Sequence, residues 1–155
     1  VLEQVDVDLL IVGEFYDDRR KYERIIEETG TGDHVRIVAE HVPDESVGEY
    51  FSAADLVVLP YVSATQSGIT QIAFAFGLPV VSTDVGGLTE VVTDGETGYI
   101  VRPEDEEALA AALVRFFTGG DAERLRANVM REARRDRAGG LMRAAVRDFL
   151  EIKGG

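Results

Sequence analysis

Two short stretches of this chain combine hydroxyl, amide and glycine residues as an anion-binding edge would need them. The first runs from Ser63 through Ala64, Thr65, Gln66 and Ser67 to Gly68, then straight into a helix-like run from Ile69 to Phe76. The second is Gly86-Gly87, followed three residues later by Glu90. Each is expected to be a loop-to-helix junction. The first N–H groups of a helix are unpaired and the macrodipole is positive there, so such junctions attract anions. At the first junction the Thr65 and Gln66 side chains can hydrogen-bond ligand hydroxyls. The amides of Ser67, Gly68 and Ile69 point at an anion from the helix start. The plainer alternative is a tight turn and no more, and it stands for Gly86 and Gly87 as well. Glu90 has two readings: contact with a ligand, or support for its own first turn against the dipole.

Gly13, with Glu14 and Phe15, belongs to the same expected edge but lacks the G-x-G-x-x-G spacing of a dinucleotide fingerprint. Asp6 and Asp8 flank Val7 in an aspartate-x-aspartate pattern that suggests a metal. They stand at the opposite, N-terminal end of their strand, so no metal site is expected. No serine–histidine–aspartate set and no glycine-rich loop with lysine occurs, and no catalytic residue is assigned.

These candidates need a scaffold that sets several strand ends side by side. Apolar runs supply one. Val7 to Val12 is expected as a fully buried strand, His34 to Ala39 as a second, and Leu56 to Leu59, stopped by Pro60, as a third. Pro79 to Ser82 and Tyr99 to Val101 complete the set. Between them Asp17-Asp18 caps a helix carrying Tyr22, Ile25, Ile26 and Thr29 on one face, with Gly30 and Gly32 ending it. Asp44 caps another, with a stripe of Val47, Tyr50, Phe51 and Ala54. Thr93 to Gly98 is turn chemistry. Pro103 and the acids after it start a helix with Leu109, Leu113, Phe116 and Phe117 facing in. Asp121 caps an arginine-rich helix to about Arg137, whose arginines alternate with acids as on a solvated face. A last helix is expected from Leu141 to Ile152, after Gly139-Gly140. Continuous apolar strands alternating with helices are the pattern of a parallel sheet covered on both faces. The expected fold is therefore α/β: one three-layer, Rossmann-like domain over residues 1–155, its parallel sheet of about five strands flanked by helices. Ligands of such sheets bind outside the carboxyl ends of the strands.

Charge narrows the partners. The 155 residues carry 29 acidic and 16 basic side chains, net −13. That argues against duplex nucleic acid and against a partner such as an anionic membrane, since both demand a basic face. Only Lys21 and Lys153 are lysines; the other fourteen basic residues are arginines. An acidic, lysine-poor surface suits high salt, and a GC-rich genome also favours arginine. Cysteine is absent, which excludes disulfides and thiol chemistry and fits a reducing, cytoplasmic setting. No apolar run approaches the roughly 20 residues that span a bilayer, and no leader is seen.

From Phe76 the residues become specific. F-G-L-P-V-V-S-T-D-V-G-G-L-T-E-V-V, then D-G-E-T-G-Y-I-V, then P-E-D-E-E-A-L-A-A-A-L, resemble the C-terminal, donor-binding domain of group 1 glycosyltransferases (family 4, GT-B fold). V-P-D-E-S-V-G-E-Y-F-S-A-A-D-L-V-V-L-P upstream is similar to the same family, so the likeness runs from about Leu9 to Leu113. It implies a nucleotide-sugar donor (UDP-, GDP- or ADP-linked) and transfer to an acceptor with retention of configuration. It implies no cofactor. Sugar and diphosphate would lie against Thr65 to Ile69, and the base near His41, Val42 and Pro43. Both histidines, His34 and His41, otherwise read as surface residues.

Two departures accompany the resemblance. Family members place two glutamates, separated by seven residues, across this loop; the corresponding positions are Ala64 and Ile72, with Gln66 or Gln71 as possible substitutes. Family members also begin the domain with a further strand and helix bearing an arginine and a lysine, and hold the acceptor in a separate N-terminal domain. The chain is thus expected to be a piece of an enzyme, inactive in transfer alone. Membrane association of the whole enzyme is left open. Two other functions fit: a nucleotide-sugar epimerase of the same fold, or a non-catalytic nucleotide-binding or interaction module.

Overall fold

The computed structural model describes residues 1–15, 18–40, 42–64 and 68–139. It forms two compact units, Leu2–Gly48 and the chain from Glu49 onward. The first holds β1 (Leu9–Val12), α1 (Arg20–Thr29), a 3₁₀ turn (Gly32–His34) and β2 (Val35–Val38); α2 (Asp44–Ala53) runs across the division. The second holds β3 (Val57–Leu59), α3 (Gly68–Ala75), β4 (Val80–Thr83), α4 (Leu88–Val91), β5 (Gly98–Val101), α5 (Glu106–Thr118) and α6 (Ala122–Gly139). All five strands pair in parallel, as continuous apolar runs joined through helices must. The hydrogen bonds divide them into a β1-β2 pair and a β3-β4-β5 sheet, in place of one five-stranded ladder. The last expected helix, from Leu141, lies outside the described residues.

In the first unit the expectation of a fully buried strand fails. Leu9, Leu10 and Val12 are 48%, 42% and 38% exposed. Among the described residues β2 is the strand that pairs with β1, and a two-stranded ribbon does not bury both of its faces. The face of α1 fares likewise: none of its residues is buried, and Ile25 and Tyr22 are exposed. Asp18 of the expected pair does cap the helix, its carboxylate accepting the Arg20 backbone N–H at 3.1 Å and its Nε at 3.0 Å, while Arg19 makes no side-chain cap bond. That bond to the Arg20 side chain holds the Asp18 carboxyl below its usual range. Asp6 and Asp8 are solvated, with His34 Nδ1 3.9 and 3.4 Å from their carboxylates. Among the described residues no metal-binding cluster forms.

In the second unit β4 is the middle strand, and its alternation divides the core. Val80 faces Leu59, Ala73, Phe74, Leu78, Val92, Val129 and Ala133, so α3 and α6 cover that side. Val81 faces Tyr99, Val101, Ala112, Phe116 and Leu125, so α5 covers the other. This is a three-layer sandwich, and Val80 and Val81, both fully buried, fill its two sides. α3 ends where Gly77 turns back at φ 74°; a Cβ there would meet Met130 Sδ at 2.6 Å. α5 starts three residues later than Pro103 suggests. Asp105 is its cap, its Oδ1 accepting the Ala108 N–H at 2.8 Å, and Glu104 precedes it at a left-handed φ of 57°. Phe117, expected to face in, is 39% exposed, because Phe116 takes the buried stripe.

The junction of α5 and α6 is held by Asp121. Its carboxylate accepts from Arg124 at 2.7 Å, from the Tyr99 hydroxyl at 2.8 Å and from Arg115 Nε at 3.1 Å. Arg115 also lies 4.7 Å over the Tyr99 ring, and Arg124 reaches the Gly95 carbonyl at 2.7 Å. The Arg124 bond, then that of Tyr99, brings the Asp121 pKa down from 3.8 to about 2. Burial, and then donation to Asp121, pushes the Tyr99 phenol up. The sign follows from a depressed folded-state pKa. The contribution of Asp121 is complete above about pH 4 and is lost as pH falls toward 2. Urea midpoints measured from pH 5 to pH 2 are expected to fall less steeply in Asp121→Asn than in the parent, whose acid limb includes this loss. Superimposable limbs would remove Asp121 from the account.

Candidate functional site

The carboxyl edge of β3-β4-β5 is where sequence and structure meet. β3 ends at Leu59 because Pro60 has no N–H to continue the ladder. The chain then passes through Tyr61, Val62, Ser63 and Ala64, and resumes in the described residues at Gly68, the first residue of α3. Thr65, Gln66 and Ser67 lie outside the described residues. Gly68 and Ile69 are half-buried, and the Ile69 side chain packs against the Val80 side of the core, which leaves its backbone as the group facing the loop.

β4 delivers the second junction. The Asp84 N–H donates to the Val101 carbonyl at 2.8 Å, and the Val85 N–H to the Thr83 carbonyl at 2.9 Å, turning the chain out of the sheet. Gly86 takes a φ of 52°, a left-handed conformation that L side chains adopt only at a cost, and Gly87 is the N-cap of α4 at φ −79°. α4 has four residues, too short for a strong dipole. Glu90 is exposed in its first turn. Both of its readings remain compatible with that placement.

The two junctions are tied together. Thr83, 3% exposed, donates its hydroxyl to the Tyr61 carbonyl at 2.6 Å. Thus Gly68, Ile69, Gly86, Gly87 and Glu90 share one edge, as expected. Arg102 follows β5 at the same edge and is exposed, a cation on an acidic chain. Gly13, Val42 and Pro43 belong to the first unit, at the carboxyl ends of β1 and β2. There the Gly13 N–H, at φ 138°, extends the ladder to the Val38 carbonyl at 3.1 Å. His41 lies outside the described residues.

Thr83, Tyr61 and Arg102 were not singled out by the sequence. The available signal for Thr83 was a hydroxyl at the end of an apolar strand, directly before a turn. Of the departures from the family pattern, Ile72 is 4% exposed and packs in the interior of α3, while Ala64 is half-buried. Position 72 therefore serves packing. Thr70 and Ser82 are also buried, and neither hydroxyl oxygen has a hydrogen-bond partner among the described residues.

The arginines of α6 stand apart from this edge. Arg126 pairs with Asp55 at 2.6 Å, whereas Arg131, Arg134 and Arg135 line a shallow surface groove with Ala127 and Met130. That groove shares no residue with the strand edge. Among the described residues no helix is long and apolar enough to cross a membrane.

Parallel strands joined through helices, with two glycine-containing junctions at one carboxyl edge, define a Rossmann-like α/β fold. Residues 1–118 match the family model of glycosyl transferases group 1, and the chain belongs to that family. Phosphatidyl-myo-inositol mannosyltransferase of Mycobacterium leprae is 33% identical over 128 residues, covering 82% of this chain and 31% of its own. The structure of sucrose-phosphate synthase from Thermosynechococcus elongatus is similar with a TM-score of 0.63 and 32% identity, covering 87% of this chain and 37% of that one. Anabaena HepE in complex with UDP is similar in fold, with a TM-score of 0.74 at 18% identity, covering 96% of this chain and 41% of that one. The chain thus spans well under half the length of these relatives.

Proposed function

We propose that this chain is the donor-binding part of a retaining glycosyltransferase that moves a sugar from a nucleotide-sugar to an acceptor. The observation that carries the reading is the carboxyl edge of β3-β4-β5, where Thr83 joins the loop before α3 to the loop before α4. In this reading the sugar and diphosphate lie along Thr65, Gln66, Ser67, Gly68 and Ile69, with Gly86, Gly87 and Glu90 beside them. Gly13, His41, Val42 and Pro43, of the first unit, are the further donor candidates, the last three for the base. No metal or cofactor is assigned. Developing charge on the leaving diphosphate would be met by backbone N–H groups, which need no reorganisation as the bond breaks. Arg102 would oppose the repulsion of a chain with net charge −13. Transfer belongs to the longer protein, in the cytoplasm, with the acceptor held by another domain.

A second reading, a non-catalytic nucleotide-binding module, is favoured by one observation. The family's second glutamate position is a buried isoleucine, so that carboxylate's part in transfer has no successor at Ile72. An epimerase of the same fold is separated by assay, since it would alter the sugar without an acceptor. HepE was solved with UDP, which makes UDP the first nucleotide to test. An NMR titration of the labelled protein with UDP, GDP and ADP is expected to give saturable shifts of the Gly68 and Gly87 amides for one of them. A well-dispersed spectrum that none of the three perturbs, at low and high salt, would overturn the placement.

A further inference from the structure

The tie between the two junctions has a consequence for binding. We propose that Thr83 is a positioning residue that holds Tyr61 to Ala64, where the chain leaves β3, in their ligand-competent arrangement. This rests on the reading of the edge as nucleotide-binding. Thr83 is 3% exposed and does not itself face a ligand. Its hydroxyl reaches the Tyr61 carbonyl, a group beyond the end of β3 that the ladder does not hold. Pro60, with no N–H, breaks the ladder one residue earlier. The anchor is firm: β4 is paired on both sides, with Ser82 opposite Leu59 and Thr83 opposite Val101. The Asp84 N–H adds a bond to the Val101 carbonyl at 2.8 Å. This part-buried hydrogen bond therefore sets where the chain leaves the sheet toward Val62, Ser63 and Ala64. α3, beginning at Gly68, sets where it returns. Without that bond Tyr61 to Ala64 sample arrangements that do not bind, and apparent affinity falls with the competent fraction.

The test compares Thr83→Val, which keeps the shape and deletes the donor, with Thr83→Ser, which keeps the donor. Thr97→Val serves as a control. The Thr97 hydroxyl oxygen accepts the Thr93 N–H at 2.9 Å before β5, at the opposite end of the sheet, so its loss costs stability without touching the edge. UDP dissociation constants are measured by calorimetry, and amide exchange at Val62, Ser63 and Ala64 by NMR. Thr83→Val is expected to weaken UDP binding about three- to tenfold, the equivalent of one hydrogen bond, and to speed exchange at those amides. Thr83→Ser restores both, and Thr97→Val changes neither. Unchanged affinity and exchange in Thr83→Val would overturn the proposal, and so would an equal loss in Thr97→Val. If the parent binds none of UDP, GDP and ADP, the nucleotide reading fails, and exchange alone then decides whether Thr83 orders Tyr61 to Ala64. Should Thr83→Val not fold, Thr83→Ala gives the same comparison.

Discussion

Replacing Gly98 by alanine is expected to prevent the second unit from folding stably. Gly98 opens β5 and stands opposite Val80 in the parallel register. A Cβ built there would overlap the Val80 carbonyl oxygen and lie 2.7 Å from its carbon and 2.9 Å from its nitrogen. These are backbone atoms of the middle strand. Val80 is fully buried, its N–H bonds the Thr97 carbonyl at 3.2 Å, and the Gly98 carbonyl accepts from Gly95 at 2.8 Å. Relief therefore requires separating β4 from β5. Overlap with a flexible side chain, such as that of Met130 near Gly77, can relax by a rotamer change; overlap with a paired strand cannot. The loss should exceed about 4 kcal/mol, the range reached only by a few named mechanisms, and should lower the melting temperature by more than about 10 °C or abolish soluble expression. A Gly98→Ala protein melting within a few degrees of the parent would show that β5 can move away from Val80.

That clash marks the limit of what the sequence discloses. The alternation of strands and helices was legible because Val57–Leu59 and Leu78 to Val81 are apolar runs, and the parallel pairing of β3 with β4 follows from the helix between them. The burial of Leu9, Leu10 and Val12 was misjudged for a related reason. An apolar run states that a strand can be covered, not which element covers it. Phe117 fails similarly, since two adjacent aromatic residues both fall within reach of a stripe built on Leu109 and Leu113.

The edge itself was legible in outline. Gly68, Ile69, Gly86, Gly87 and Glu90 come together because glycine and hydroxyl residues mark where strands β3 and β4 end. What joins them was not legible. Thr83 and Tyr61 are 22 residues apart, and only the register that sets Leu59 opposite Ser82 brings the hydroxyl to the carbonyl. Long-range polar contacts depend on register, and register is a property of the assembled sheet. Ile72 teaches the converse. The family resemblance puts it at a glutamate position, yet its side chain is buried and serves packing.

Phe116 and Phe117 allow the burial argument to be measured directly. Their rings meet edge to face, with centroids 4.9 Å apart at 90°. Phe116 is 1% exposed among Val81, Tyr99, Val101, Ala112 and Leu125; Phe117 is 39% exposed. Truncating Phe116 removes its transfer free energy and leaves a cavity between α5 and the sheet. The expected cost is about 3–5 kcal/mol. Truncating Phe117 removes a partly solvated ring and one aromatic contact, which together are worth about 1 kcal/mol. Chemical denaturation of Phe116→Ala and Phe117→Ala is therefore expected to give sharply unequal midpoints with similar slopes. Equal losses would mean that both rings are covered in solution, and that α5 lies deeper than its exposed face indicates. Because Val81 packs against Phe116 on one face of β4 while Val80 packs against α3 on the other, the loss should also loosen the strand that carries Thr83. Core and carboxyl edge meet on that strand, so damage to the core should reach the edge through β4.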